Sequence, residues 1–479
     1  MFWAYGSYVG GRLLSLVATA ILARLILPKD FGLVALGLVA MAFLDTFPGL
    51  GVGEALVVAD EDEIEEKAET AFVVQVAVGL VLTAAAAALG PVGASFFHQP
   101  TLAQVLPVLG LTFFLLGLGG THAALALKSM DFRSRTIAEL ADVTIRGVVS
   151  VVLAVAGAGV WSLVIGYVVG SAAWTITIWH RVAWRPRFRP RRRHLRGLLK
   201  FGGAITGVGI MAAFLTQFDN LVIGRVLGDT QLGFYSMATR LPSLFILGLA
   251  VVAGRVLFPA FASLASRDMG RAYLTSLRYT AMVVLPLTTF MAILAGPLTI
   301  GLFGGEWQPA VGAAQVLCLW AFASTVGLVC GNAIKARGRP DILLKLAVPQ
   351  AVALIIGSLV FVNQGIVAVS WVQAGIAVAA QLVAMGIAQR MFQVTARSVL
   401  GAISPPVLAS AALAIVLLVV HHTISAPWPA IIVGATGGVV VYVSLLILLA
   451  PDSVRRLRTM AIPPSGQEGV FGSSPEEGF

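Results

Sequence analysis

Apolar residues recur in long blocks along almost the whole chain, with polar residues confined to the short stretches between them. Fourteen blocks stand out, at about 3–27, 31–58, 71–97, 102–127, 137–159, 161–180, 201–226, 231–258, 277–303, 310–334, 342–362, 366–389, 405–422 and 428–450. A helix of about 20 residues crosses a hydrocarbon core. Backbone polar groups in lipid need internal partners, and these long, non-alternating runs do not suit a barrel. The pattern therefore predicts an all-α polytopic membrane protein with about 14 transmembrane helices. Block 1 has no cleavage-like end and Arg12 interrupts it, so it is expected to be retained rather than removed as a signal peptide. It lacks a basic flank before Phe2, and a few further residues upstream would supply one.

Composition narrows the class. The chain has 479 residues, 58% hydrophobic and 11% charged, against about 25% charged for an ordinary soluble domain. Fourteen spans leave no room for a soluble catalytic domain. The only cysteines, Cys318 and Cys330, share one apolar block, which excludes a disulfide framework or a cysteine metal site. The net charge of +10 is the kind that collects in cytoplasmic loops, so nucleic acid is not an expected partner.

The loops set the orientation. Counting from the amino terminus, the even loops carry Lys128, Arg133 and Arg135; nine Lys/Arg between Arg181 and Lys200; Arg267, Arg271 and Arg278; Lys335, Arg337, Arg339 and Lys345; and Arg390 and Arg397. The odd loops are nearly free of cations. The positive-inside rule then places both termini in the cytoplasm. Loop 60–69, with its run of Asp and Glu, departs from the pattern, but acidic residues weigh little in that rule.

Residues 181–200, with Pro186 and Pro190, form the one long polar interior linker. They divide the chain into an N-lobe at 1–180 (helices 1–6), a basic cytoplasmic linker at 181–200, a C-lobe at 201–390 (helices 7–12), helices 13–14 at 391–450, and a cytoplasmic tail at 451–479 whose composition predicts disorder. The halves share a motif. Arg24-Leu25-Ile26-Leu27-Pro28-Lys29-Asp30-Phe31-Gly32 is matched, at an offset of 201, by Arg225-Val226-Leu227-Gly228-Asp229-Thr230-Gln231-Leu232-Gly233. Each joins the first helix of a half to the second. Both halves start on the same side, so the repeat is parallel, as in two-lobed transporters that rock about a central site.

The residues that carry the repeat also carry a family resemblance. Ile21 to Leu33 resembles the opening signature of the Wzx-type polysaccharide flippases of the MOP superfamily. Phe218 to Gly228, followed by Leu232-Gly233-Phe234-Tyr235, resembles their second-half signature, and Arg255 to Ala260 and Ala336 to Pro340 fit as well. The similarity runs from about residue 10 to about 400. It implies an alternating-access helical fold that translocates polyprenyl-diphosphate-linked oligosaccharide across a bacterial inner membrane for O-antigen, capsule or exopolysaccharide synthesis. It also implies contact with membrane lipids and work alongside a polysaccharide polymerase and chain-length machinery. It names no sugar.

Ionisable side chains deep in a span are costly and mark either a pathway or a structural pair. Arg12, Asp45, Asp219 and Arg240 fall near mid-block, and Asp219 and Arg240 are expected to pair. Glu139, Asp142 and Arg146 fall on one face of helix 5. Arg24, Arg225 and Arg255 sit near helix ends. One reading is a cavity in which Arg12, Arg146, Arg240, Arg24, Arg225 and Arg255 bind a diphosphate, because guanidinium grips phosphate oxygens bidentately. The other is that acid–arginine pairs hold helices together and terminal arginines snorkel. Asp45, Glu139, Asp142 and Asp219 are candidates for coupling or for such pairs. Trp161, Trp307 and Trp428 read as interfacial anchors, and Gly166/Gly170 as a close-packing pair.

No catalytic residue, metal ligand or cofactor motif is evident, so the chain is not expected to be an enzyme. The nearest alternative is a cation-coupled antiporter of the same superfamily. Many of those carry a carboxylate in the first helix, and block 1 has none.

Overall fold

The computed structural model describes residues 2–46, 52–57, 61–187, 191, 213–264 and 268–451. Among them no strand occurs. The helices are α1 (Phe2–Leu25), α2 (Pro28–Leu44), α3 (Val52–Val57), α4 (Ile64–Phe97), α5 (Leu102–Lys128), α6 (Phe132–Val155), α7 (Val160–Arg181), α8 (213–226), α9 (Asp229–Pro242), α10 (Gly248–Ala262), α11 (Met269–Ile293), α12 (Ala295–Phe303), α13 (Val311–Ala336), α14 (Pro340–Phe361), α15 (Ile366–Met391), α16 (Ala396–Thr423) and α17 (Pro427–Leu449). Among the described residues, nine helical stretches are long and apolar enough to cross a membrane: α4, α5, α7, α11, Gly305–Ala336, Pro340–Gln364, α15, α16 and α17. Helices outside this set include α2, with 17 residues, and α6, which carries Arg133, Arg135, Glu139, Asp142 and Arg146.

Local chemistry explains where the helices depart from the apolar blocks. The block 31–58 is divided between α2 and α3. Asp45 ends α2 and Thr46 Oγ1 closes the turn on Phe43 O at 2.8 Å. The acidic run is not all loop. From Ile64 it is the start of α4, where Glu65 and Glu66 face the positive end of the helix dipole. The block 277–303 breaks at Leu294 because Pro297 offers no N–H and its ring crowds the carbonyl four residues back, that of Ile293. The block 231–258 holds a π-turn, Ser243–Leu247, between α9 and α10.

Neighbouring helices pack as antiparallel hairpins: α4 with α5, α6 with α7, α14 with α15, and α16 with α17. Then α1 lies on α6, and α16 and α13 lie on α11. The two halves of the chain meet where α2 packs on α9, and there the repeat becomes visible in space. A Cβ on Gly32 would fall 1.7 Å from Asp229 O, and one on Gly233 would fall 2.1 Å from Pro28 O. Pro28 and Asp229 are themselves 201 apart, as are Gly32 and Gly233. Each motif's glycine thus receives the other motif's first helical carbonyl, the reciprocal contact expected about a two-fold axis. Side chains at either position would drive the halves apart.

The same end is sealed by an arm from the second half. Trp307, expected as an interfacial anchor, is fully buried instead. Its Nε1 donates to Ala23 O at 2.9 Å, and its ring meets Phe31 and Phe234 edge-on at 5.3 and 6.0 Å. A buried indole N–H needs an acceptor, and the last turn of α1 supplies it.

Candidate functional site

Next to that seam, with Phe31 shared between the two, α1, α2, α6, α7 and α9 line a cavity of about 170 Å³. One stripe of α6 forms a wall: Val143, Arg146, Gly147 and Ser150, at helical spacing. Thr136 and Glu139 continue the stripe into an adjoining cleft, where Gly11 and Arg12 of α1 face them. Ser15 and Val143 line both spaces. From the second half, α9 contributes Ser236 and Arg240.

Arg146 is held from three sides. Asp142, one turn earlier on α6, binds it through two hydrogen bonds, with Nε to Oδ1 at 3.2 Å and Nη2 to Oδ2. The guanidinium lies 4.4 Å above the Tyr167 ring centroid, a cation–π geometry. Gly166 and Gly170 of α7 make room behind it, since a Cβ on Gly170 would strike Asp142 Oδ1 and one on Gly166 would strike Ser150 Oγ. The pair at Gly166/Gly170 is therefore close packing with a purpose: it seats the Asp142–Arg146 fork against α7. Arg146 and Asp142 keep partial exposure, 31% and 20%.

Arg240 is exposed and its Nη2 donates to Thr19 Oγ1 of α1 at 2.7 Å. Arg12 Nη1 donates to Ser243 O and Leu244 O in the π-turn, at 3.4 and 3.3 Å. Of the six candidate arginines, the structure thus brings Arg12, Arg146 and Arg240 to one cavity system. Arg24 and Arg225 do not line it. Arg24 caps the end of α12, with Nη2 to Gly301 O at 2.5 Å and Nε to Leu302 O at 3.2 Å. Arg225 meets His98 Nδ1 at 3.1 Å and lies over Phe96. Arg255 is carried on α10, and its side chain lies outside the described residues.

The acids need two corrections. The expected Asp219–Arg240 pair does not form. Asp219 is buried in α8, accepting from Tyr235 Oη at 2.5 Å and from Asn220 N at 2.9 Å, and Tyr235 also meets Gln373 Oε1. Arg240 points the other way, into the cavity. Equal depth in adjacent helices does not fix which way each side chain turns about its helix axis. Glu139 is exposed and pairs with Arg135 at 3.6 Å, so it does not join Arg146. Asp45, expected near the middle of a span, is instead an exposed C-cap, because the helix ends at Leu44.

Sequence reasoning missed two partners. Tyr167 and Thr19 are ordinary residues for an apolar helix, and only the fold places them against arginines. It also missed that the acidic run and the basic linker meet. Arg187 Nη1 reaches Glu65 at 2.6 Å, Arg191 Nη1 reaches Glu66 at 2.8 Å, and both Glu69 oxygens accept from Arg187 N. Among the described residues, no group of three or more His, Cys, Asp or Glu could hold a metal.

The family model "Polysaccharide biosynthesis protein" matches residues 21–312, more than half of the chain and both copies of the repeat motif. The chain belongs to this family. It is 28% identical over 475 residues to the succinoglycan biosynthesis transport protein ExoT of Rhizobium meliloti (strain 1021), covering 96% of this chain and 94% of the relative. It is 26% identical over 339 residues to the lipopolysaccharide biosynthesis protein WzxC of Escherichia coli (strain K12), covering 70% and 69%. The fold is similar to that of the lipid II flippase MurJ in an inward closed conformation, with a TM-score of 0.80 at 13% identity over 95% of this chain and all of that one. An inward-facing MATE multidrug transporter of the MOP superfamily aligns at 0.64 with 17% identity, over 80% and 94%. The family and the all-helical fold agree with the resemblance that the two signature motifs carried.

Proposed function

We propose that the protein flips a polyprenyl-diphosphate-linked oligosaccharide across the bacterial cytoplasmic membrane during synthesis of a cell-surface polysaccharide. The observation that carries this reading is the convergence of Arg12, Arg146 and Arg240, from both halves of the chain, on one cavity system in a member of this family. The diphosphate head needs its charge shielded from hydrocarbon, while the polyprenyl tail can stay in lipid. Arginine forks answer that need. The halves, an N-lobe at 1–180 and a C-lobe at 201–390, alternate about the cavity, with fourteen spans in all. Both termini and the 181–200 linker lie in the cytoplasm. The Gly32/Gly233 seam then closes the outer side, and the cavity belongs to the inward-directed half of the cycle. A polymerase and chain-length machinery receive the flipped unit.

A cation-coupled antiporter is the competing reading. It calls for a carboxylate that can carry the coupling ion, whereas the acids nearest these arginines, Glu139 in the adjoining cleft and Asp142 beside the cavity, are each paired with an arginine, Arg135 and Arg146. The test is polysaccharide export in cells carrying Arg12→Ala, Arg146→Ala and Arg240→Ala together, with membrane levels checked by immunoblot. Lost export at normal protein level supports the reading; normal export removes it.

A further inference from the structure

Thr19 is a small residue with an unusual position. It is 3% exposed, yet its hydroxyl joins the two halves. The hydroxyl proton goes to Ser15 O, one turn back in α1, at 2.7 Å. That leaves the oxygen to act as an acceptor toward α9, the only role a guanidinium, which has no acceptor of its own, can answer. Arg240 Nη2 fills it at 2.7 Å. A second arginine crosses in the opposite direction: Arg12 leaves α1 for the π-turn carbonyls of Ser243 and Leu244. Gly248 makes room for it, since a Cβ there would lie 2.9 Å from Arg12 Nη1. The turn that follows Arg240 on one side is therefore held by α1 on the other.

Both ties use neutral acceptors. A phosphate oxygen is charged, and hydrogen bonds with an ionised acceptor in addition to the ionised donor are stronger. A diphosphate entering the cavity takes Arg240 from Thr19. We propose that Thr19 is a positioning residue that ties Arg240 across the halves, and that diphosphate binding releases the tie, so that loading the site and freeing α9 from α1 are one event. This rests on the reading of Arg240 as a diphosphate ligand. It adds that the halves are restrained until the ligand arrives, which would keep the transporter from cycling without cargo.

The experiment uses the full chain in proteoliposomes, with spin labels on the cysteines introduced by Ser129→Cys and Ser263→Cys, two exposed positions in loops at the same end of different halves. Cys318 and Cys330 are buried. Farnesyl diphosphate serves as a diphosphate probe without sugar. In Thr19→Val, which keeps the shape and loses the acceptor, the inter-label distance should lengthen without probe. Probe affinity should rise about tenfold, the fold-change that one charge-assisted hydrogen bond is worth. Thr19→Ser should match the unmodified chain in both readouts. Arg240→Gln, at an exposed position, should reproduce the lengthening and lose the affinity gain, which separates the tie from misfolding at Thr19. If Thr19→Val and Arg240→Gln leave the distance unchanged, the tie is overturned. If the distances shift as expected but the unmodified chain does not bind the probe, the tie stands and the diphosphate role of Arg240 falls.

Discussion

Arg146 shows how a charge is held among packed helices. Asp142 binds it through two nitrogens, Tyr167 presents a ring face, and Gly170 leaves space for both. A lysine keeps the charge but loses the fork and the stacking plane. Arg146→Lys is therefore expected to cut polysaccharide export severely at unchanged protein level, measured by export assay and immunoblot. Full export would mean that a point charge suffices and that the fork is incidental. The side chains of Asp219 and Arg240 face different environments, so their effects should be independent. Asp219→Asn with Arg240→Ala should cost the sum of the two single changes in export and abundance, within about 0.5 kcal/mol where stability is read. Rescue in the double variant would restore the pair that the structure dissolves. Apolar spacing shows which helical blocks carry the charges, but not where each falls in its helix: Asp45, near the middle of its block, ends α2. The direction each faces was not legible either, because it depends on helix rotation set by packing elsewhere. Arg24 shows the same limit: it reads as a site residue and turns out to cap α12 across the seam.

At the level of helices, the repeat was legible because a two-fold contact imposes matching residues on both copies. Gly32 and Gly233 must both be glycine, and the offset of 201 between them survives in the sequence. Helix breaks were less legible. An apolar count cannot see that Pro297 ends α11 at Ile293 or that a π-turn interrupts 231–258. Hydropathy reports burial in lipid, whereas these breaks follow from single backbone hydrogen bonds. The reciprocal seam leads to a paired expectation. Gly32→Ala and Gly233→Ala should each force the closed seam open, at an overpacking cost of about 1–3 kcal/mol. Each should speed labelling of a cysteine placed at Asp30 by a membrane-impermeant maleimide added outside the cell, and to a similar degree. An effect at one glycine alone would break the symmetry. A basic linker bound to an acidic helix start was also hidden, because long-range charge pairing leaves no local pattern. Only the fold carries Glu65, Glu66 and Glu69 to Arg187 and Arg191.

For the whole molecule, flipping by alternating access requires two halves with the same orientation, joined on the outer side and moving about the arginines. Orientation is checked by reporter fusions after Lys200 and after His422, which should report opposite sides of the membrane; the same side for both would contradict the fourteen-span topology. Function is checked most directly by reconstitution. Liposomes containing the purified chain and a fluorescent polyprenyl-diphosphate oligosaccharide should move the lipid between leaflets, read by quenching with a membrane-impermeant reductant. The unmodified chain should raise the quenchable fraction well above protein-free liposomes, and the chain with Arg12, Arg146 and Arg240 all changed to Ala should not. Transfer by the unmodified chain no faster than in protein-free liposomes, or equal transfer by the triple variant, would contradict that mechanism.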